Sequence, residues 1–116
     1  MDEENDFYTP QELWKMLFPR PNESLDECAY RLIDTACERS HKVVTHLPAG
    51  ENPNPYKWNL KCFTPAMLRW RDECDYLLHA SRSIGTFIAR GGKREDYQPD
   101  PKYHFDNWEW VRHRLH

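Results

Sequence analysis

The sequence predicts a single, mainly α-helical domain that carries one small antiparallel β-hairpin, in the order α-α-β-β-α-α. Amphipathic stretches with apolar residues three and four positions apart indicate the helices. A β-branched run and an alternating run, separated by a cluster of turn-forming residues, indicate the hairpin. The chain has 116 residues, close to the commonest domain size, so we expect all of these elements to share one compact core.

The predicted elements divide the chain into seven segments. In order they are a frayed acidic N-terminus (1–8), a helix (9–18), a second helix (24–39), the hairpin (42–63), a long helix (65–90), a polar linker (93–105) and a short C-terminal helix (106–116). The sequence indicates that the C-terminal helix docks through Trp108, the first apolar residue of its stripe.

The first two helices begin at hydrogen-bonding caps. Thr9 stands before a proline and three residues before Glu12, and Ser24 stands three residues before Glu27. This spacing predicts a capping box at each start, in which the hydroxyl and the carboxylate each accept a backbone N–H of the other residue. The second helix places six apolar residues on one face, which predicts that it continues to about residue 39. These residues are Leu25, Cys28, Ala29, Leu32, Ile33 and Ala36.

The hairpin is predicted between the second helix and the long helix. Residues 43–47 are a short β-branched run, residues 48–55 are rich in Pro, Gly and Asn, and residues 56–63 largely alternate apolar and polar side chains. The middle segment therefore predicts a long turn and its neighbours predict two strands. Because a two-stranded hairpin is marginally stable alone, we expect it to pack on the helices.

The long helix begins after the N-cap residue Thr64 and ends at Gly91 and Gly92. Its apolar residues repeat every seven positions. A helix of about 26 residues is roughly 39 Å long, which slightly exceeds the roughly 35 Å diameter of a compact domain of this size. Two alternatives follow: the helix breaks around Gly85, or it crosses the whole domain.

Charge, glycine spacing and cysteine spacing argue against several function classes. The formal net charge is −3, the wrong sign for a nucleic-acid-binding arm. The four glycines form no phosphate-binding loop. Cys28 and Cys37 are nine residues apart, unlike the close ligand pairs of zinc sites. We therefore expect no enzymatic activity, no cofactor and no metal.

The start of the chain and its hydropathy argue against a secreted or membrane protein. Residues 1–6 carry four acidic side chains and no basic one, the reverse of a signal peptide. No apolar run reaches the roughly 18 residues that a transmembrane helix needs. We therefore expect a cytoplasmic protein with no membrane partner and with free thiols. The cysteines are Cys28, Cys37, Cys62 and Cys74.

An excess of aromatic residues points to a protein-binding function. Aromatic side chains make up 14% of the chain, and several lie off the predicted core stripes. On the long helix, Tyr76 and Phe87 belong to a second apolar stripe that either another helix or a partner covers. We therefore predict a non-enzymatic protein that binds another protein, such as an accessory protein, inhibitor or regulator of phage or plasmid origin. The predicted contact residues are Tyr76, Phe87, Trp110, Arg112, Tyr56 and Trp58.

A winged-helix-like DNA-binding regulator is the alternative function. A basic hairpin that follows two helices resembles the wing of that family, which reads bases with a recognition helix. The exposed face of the second helix is acidic and would repel phosphate, which weighs against this hypothesis. The protein would form a homodimer through the long helix. Its phosphate contacts would come from Arg39, Lys42, Lys57 and Lys61.

Overall fold

The computed structural model describes residues 6–47 and 62–109, which form a helical domain. Its α-helices are α1 (Pro10–Met16), α2 (Leu25–Thr45) and α3 (Pro65–Ala89). Single-turn 3₁₀ helices follow at Arg94–Asp96, Pro101–Tyr103 and Phe105–Asn107. α2 and α3 make most of the contacts between elements, and α1 packs beside the last 3₁₀ turn.

The core has two clusters, one at each end of the α2–α3 pair. The first contains residues from the first half of α2 and from the middle and second half of α3, joined by α1 and the segment after α3. Its fully buried aliphatic members are Leu13, Leu17, Leu32, Leu77 and Ile84. The second contains Val43, Phe63, Ala66, Met67 and Trp70. Because the end of α2 packs on the start of α3, the two helices run antiparallel.

The predicted capping boxes are confirmed at both helix starts. The Thr9 hydroxyl accepts the N–H of Glu12 at 3.1 Å, and the Glu12 carboxylate accepts the N–H of Thr9 at 2.9 Å. Ser24 and Glu27 make the same reciprocal pair at 3.1 and 3.0 Å. Each box satisfies N–H groups that the first helical turn leaves without an intrahelical partner.

The predicted β-hairpin is wrong. α2 continues to Thr45, so the first three residues of the predicted strand, 43–45, are helical, and His46 and Leu47 form the turn that follows. The structure contains no β-strand in the residues that it describes. Val43 is fully buried four residues after Arg39, because it extends the buried stripe of α2 by one more turn. Burial on the helix stripe outweighs the weak strand preference of a β-branched residue. The predicted turn and most of the second strand, residues 48–61, lie outside the described residues.

α3 runs without a break from Pro65 to Ala89, which decides between the two alternatives for the long helix. Its 25 residues correspond to a length of about 37 Å. The helix ends in a Schellman motif, in which the N–H of Gly92 donates to Phe87 O and the N–H of Gly91 donates to Ile88 O. Gly91 has a φ of +80°, the left-handed conformation that this ending requires and that glycine adopts without strain.

Two arginines hold the loop between α1 and α2. Arg31 donates to both carboxylate oxygens of Glu23, at 2.8 and 2.9 Å, and to the carbonyl of Met16 at 3.0 Å. Arg94, which follows α3, donates to the carbonyls of Arg20 and Glu23 at 2.7 and 2.6 Å. The bidentate pair and the backbone contacts together fix the turn between the helices.

Acid is expected to weaken this loop through Glu23. Hydrogen bonding to Arg31 holds the pKa of Glu23 at about 2, below its usual 4.5. As the pH falls from 4.5 toward 2, the unfolded chain takes up a proton on this group before the folded protein does, so the free energy of unfolding decreases. Urea unfolding of the wild type and of Glu23→Gln, between about pH 2 and pH 6, tests this. The wild type should lose its stability advantage over the variant as the pH falls, and a constant advantage would contradict the prediction.

Candidate functional site

A buried ionic cluster joins α2, α3 and the N-terminal segment. Glu73 on α3 is fully buried, with Oε1 3.6 Å from Arg39 Nη1 and Oε2 3.7 Å from Arg69 Nε. The backbone N–H of Tyr8 donates to Oε2 at 2.6 Å. The two arginines in turn donate to backbone carbonyls of the N-terminal segment, Arg39 to Asp6 and Arg69 to Tyr8. The cluster therefore holds residues 6–8 against the helix pair.

The environment of Glu73 changes its acidity. Burial raises its pKa to about 7, although the Tyr8 N–H and the two guanidinium groups each lower it. Such a pKa is suited to a general acid or base. Here the carboxylate has no exposed surface and faces protein groups, so a substrate has no route to it. We interpret the cluster as structural.

Two of the four predicted phosphate contacts are engaged inside the protein. Arg39 is buried, with Cζ 4.3 Å from the centroid of the Tyr8 ring. Lys42 Nζ lies 2.9 Å from Asp6 Oδ2. Both positive charges are therefore directed toward groups of the protein itself. The other two predicted contacts, Lys57 and Lys61, lie outside the described residues.

Tyr76, one of the predicted partner contacts, belongs to the core. It is fully buried, its hydroxyl donates to the carbonyl of Tyr103 at 2.8 Å, and its ring centroid lies 5.5 Å from that of Trp108. The segment after α3 thus covers this stripe, and Tyr76 offers no surface to another protein in this structure. Phe87 is half-buried and packs edge-on against Tyr97. The remaining predicted contacts, Tyr56, Trp58, Trp110 and Arg112, lie outside the described residues.

Two of the described cysteines, Cys28 and Cys74, are buried in the hydrophobic core, where apolar side chains surround them. Burial raises the pKa of Cys28 and raises that of Cys74 to about 12. A raised pKa keeps a thiol protonated at neutral pH and lowers its nucleophilicity. Across residues 6–47 and 62–109, no group of three or more His, Cys, Asp or Glu side chains is arranged to hold a metal ion.

An exposed apolar surface lies along the helix pair, and we call it the α2–α3 face. At its centre Tyr30 is 67% exposed and Ile33 is 36% exposed. Between the two helices beside them lies a groove of about 410 Å³. The residues that line the groove are Asp26, Ala29, Tyr30, Ile33, Leu78, Ser81, Arg82, Gly85 and Ile88.

The α2–α3 face was not predicted from the sequence. The spacing of Ile33 placed it on the core stripe of the second helix, and Tyr30 was given no role. One signal was present, because Asp26, Tyr30 and Asp34 follow one another at intervals of four and therefore share one ridge of α2. An aromatic residue between two charges on a solvated ridge is a candidate contact residue, since tyrosine is enriched at binding hot spots.

A second cleft, of about 490 Å³, lies where the segment after α3 meets α1. The Trp14 ring packs edge-on against Phe18 and His104, with centroids 5.2 and 5.1 Å apart. The polar residues of its lining are Gln98, His104, Asp106 and Asn107. Two of them are engaged within the segment itself, because His104 Nδ1 accepts the N–H of Asp106 at 3.1 Å and the Asn107 amide donates to the carbonyl of Pro101 at 3.0 Å. The α2–α3 face is therefore the stronger candidate site.

Comparisons with protein-family models, with curated proteins and with solved structures found no match to this chain. Each helix of the described residues is too short or too polar to serve as a transmembrane segment.

Proposed function

We propose that the protein is a non-enzymatic binding module that docks another protein on its α2–α3 face. The observation that carries this proposal is Tyr30, a large aromatic side chain two-thirds exposed beside an apolar groove. Single exposed apolar residues are ordinary, but here Tyr30 adjoins Ile33 and the groove wall formed by Leu78 and Ile88. A tyrosine anchor at the centre of an apolar patch with a charged rim is typical of protein-binding surfaces.

The DNA-binding alternative receives no support from the two predicted phosphate contacts whose positions are described. Arg39 and Lys42 both contact carboxylates, whereas phosphate binding needs cations that extend into solvent. Nucleic-acid binding is therefore an outcome of the test below and not a second proposal.

Substitutions on the face are expected to abolish co-purification of a bound protein. The tagged full-length chain is captured from a lysate of the cells that make it, with and without nuclease, and the captured protein is then titrated directly. The double variant Tyr30→Ser plus Ile33→Ser should weaken binding at least about tenfold, because hot-spot side chains contribute about 2 kcal/mol or more each.

Phe18→Ser is the matched control. Phe18 is 42% exposed but lies on the other cleft, so this variant should bind as the wild type does. Equal binding by the face variant and the wild type would contradict the proposal. Capture that nuclease treatment abolishes would favour the DNA-binding alternative instead.

A further inference from the structure

We infer that the protein that docks on the α2–α3 face is a second copy of this chain, an inference that rests on the proposed function. The two rims of the groove carry opposite charges. On α2, Asp26 and Asp34 are exposed on either side of Tyr30. On α3, Arg82 is exposed on the opposite wall of the groove. None of these three side chains takes part in an ion pair with the rest of the described chain.

The register of the helix pair places Tyr30 level with Arg82. The ion pair between Arg39 and Glu73 shows that these two residues face each other across α2 and α3. Because the helices are antiparallel, Tyr30, nine residues before Arg39, comes level with Arg82, nine residues after Glu73. Both side chains accordingly line the same groove. Asp26 and Asp34 then lie about 6 Å above and below this level along the helix axis.

In a dimer whose twofold axis is parallel to the helices, the oppositely charged rims of the two copies face each other. This axis places α2 of one copy over α3 of the other, and each residue keeps its position along the direction of the helices. Arg82 of the partner subunit then faces Tyr30, about one helical turn from both Asp26 and Asp34. The symmetry repeats the same contacts on the other side of the interface. Ile33, Leu78 and Ile88 bring apolar surface to its centre.

The other twofold arrangement is unfavourable. An axis perpendicular to the helices would place α2 over α2 and oppose Asp26 and Asp34 with the carboxylates of the partner subunit. Like charges in an interface cost several kcal/mol and suppress that pairing. Charge therefore selects the arrangement in which α2 covers α3.

The size of the face sets the expected strength of association. Four turns on each of two neighbouring helices cover on the order of 20 by 20 Å. That area is below the roughly 800 Å² per partner of a standard stable interface. We therefore expect a reversible dimer whose population rises with protein concentration.

A charge-reversal experiment tests the inference with the full chain. Sedimentation measurements over a concentration series reaching high micromolar should show wild-type protein approaching twice the 14.0 kDa chain mass. Arg82→Glu alone, and Asp26→Lys plus Asp34→Lys together, should each weaken association at least about tenfold, because each opposes like charges twice. An equimolar mixture of the two variants should associate nearly as the wild type does, since both halves of that heterodimer have opposite charges. Lys93→Glu, an exposed charge reversal outside the groove, should leave association unchanged.

Each outcome has a distinct meaning. Circular dichroism first establishes that both variants remain helical, and the recovery in the mixture separately shows that each is able to bind. A wild type that stays monomeric overturns the inference, as does a dimer whose strength does not respond to the charge reversals or to mixing. If that monomer still binds a different protein through Tyr30 and Ile33, the proposed function stands and only the self-association fails.

Discussion

Replacing Glu73 by alanine is expected to lower the free energy of unfolding by about 3–5 kcal/mol at pH 8. The substitution leaves Arg39 buried opposite a cavity, because Glu73 Oε1 lies 3.6 Å from Arg39 Nη1 and neither side chain reaches the surface to any extent. It also removes the acceptor of the Tyr8 N–H, so the N-terminal segment loses one of its attachments to α3. Urea unfolding followed by circular dichroism measures the difference.

Glu73→Gln is the control for this prediction and separates charge from packing. Glutamine retains an acceptor for the Tyr8 N–H and nearly the same volume, so its loss should be smaller than that of alanine. The pH dependence gives a second readout. Because burial raises the pKa of Glu73 to about 7, the folded protein holds a proton between pH 4.5 and 7 that the unfolded chain has released. Wild-type stability should therefore fall as the pH rises through this window. The Gln variant should lack this component, and identical pH profiles for the two proteins would contradict the assignment.

Replacing Trp70 by alanine is expected to cost about 3–5 kcal/mol, the range for deleting a fully buried large aromatic side chain. Trp70 has no exposed surface and belongs to the same cluster as Val43, Phe63 and Met67. Its indole N–H also donates to the carbonyl of Asp6 at 2.8 Å. One substitution therefore weakens the contacts among α2, α3 and the N-terminal segment. Urea unfolding at constant pH measures the loss.

Trp14→Ala is the matched control for Trp70→Ala. Trp14 is the same residue type on α1, but it is half-buried at the rim of a cleft, so its removal should cost clearly less. Equal losses for the two variants would contradict the central role of Trp70. Trp70→Phe should fall between wild type and alanine, because it keeps a ring in the cavity and loses only the hydrogen bond and part of the volume.

The local signals in the sequence predicted the helix starts and the end of α3 well. The capping boxes at Thr9 and Ser24 depend on residues three positions apart, and the end at Gly91 depends on the freedom of glycine at positive φ. Each of these features requires only neighbours in the chain, so a single sequence contains the necessary information.

The hairpin was predicted wrongly for a physical reason that local signals do not contain. Val43 and Val44 favour a strand in isolation, but Val43 also lies on the continuing buried stripe of α2, opposite Met67 and Trp70. The free energy of burying that side chain depends on α3, which is more than 20 positions away in the chain. The packing of this stripe on α3 therefore decided that residues 43–45 are helical.

At the candidate site, too, contacts between distant parts of the chain decided what the local pattern did not. Tyr76 was expected to contact a partner because it lies off the main stripe, yet the segment after α3 folds back and buries it against Tyr103 and Trp108. Conversely, Ile33 has the spacing of a core residue but lies at the edge of the α2–α3 contact. Periodicity identifies which side chains share a face, and it does not identify which element covers that face.

The sequence by itself determined where the helices begin, where α3 ends and which side chains share a face of each helix. Caps, glycine conformations and side-chain directions are set by residues a few positions apart. The tertiary structure alone decided that α2 extends to Thr45, that Arg39 and Glu73 meet in the core, and that Tyr30 and Arg82 line one exposed groove. These outcomes depend on the antiparallel register of α2 and α3. That register is set by long-range burial of apolar surface, a collective quantity that no local pattern specifies.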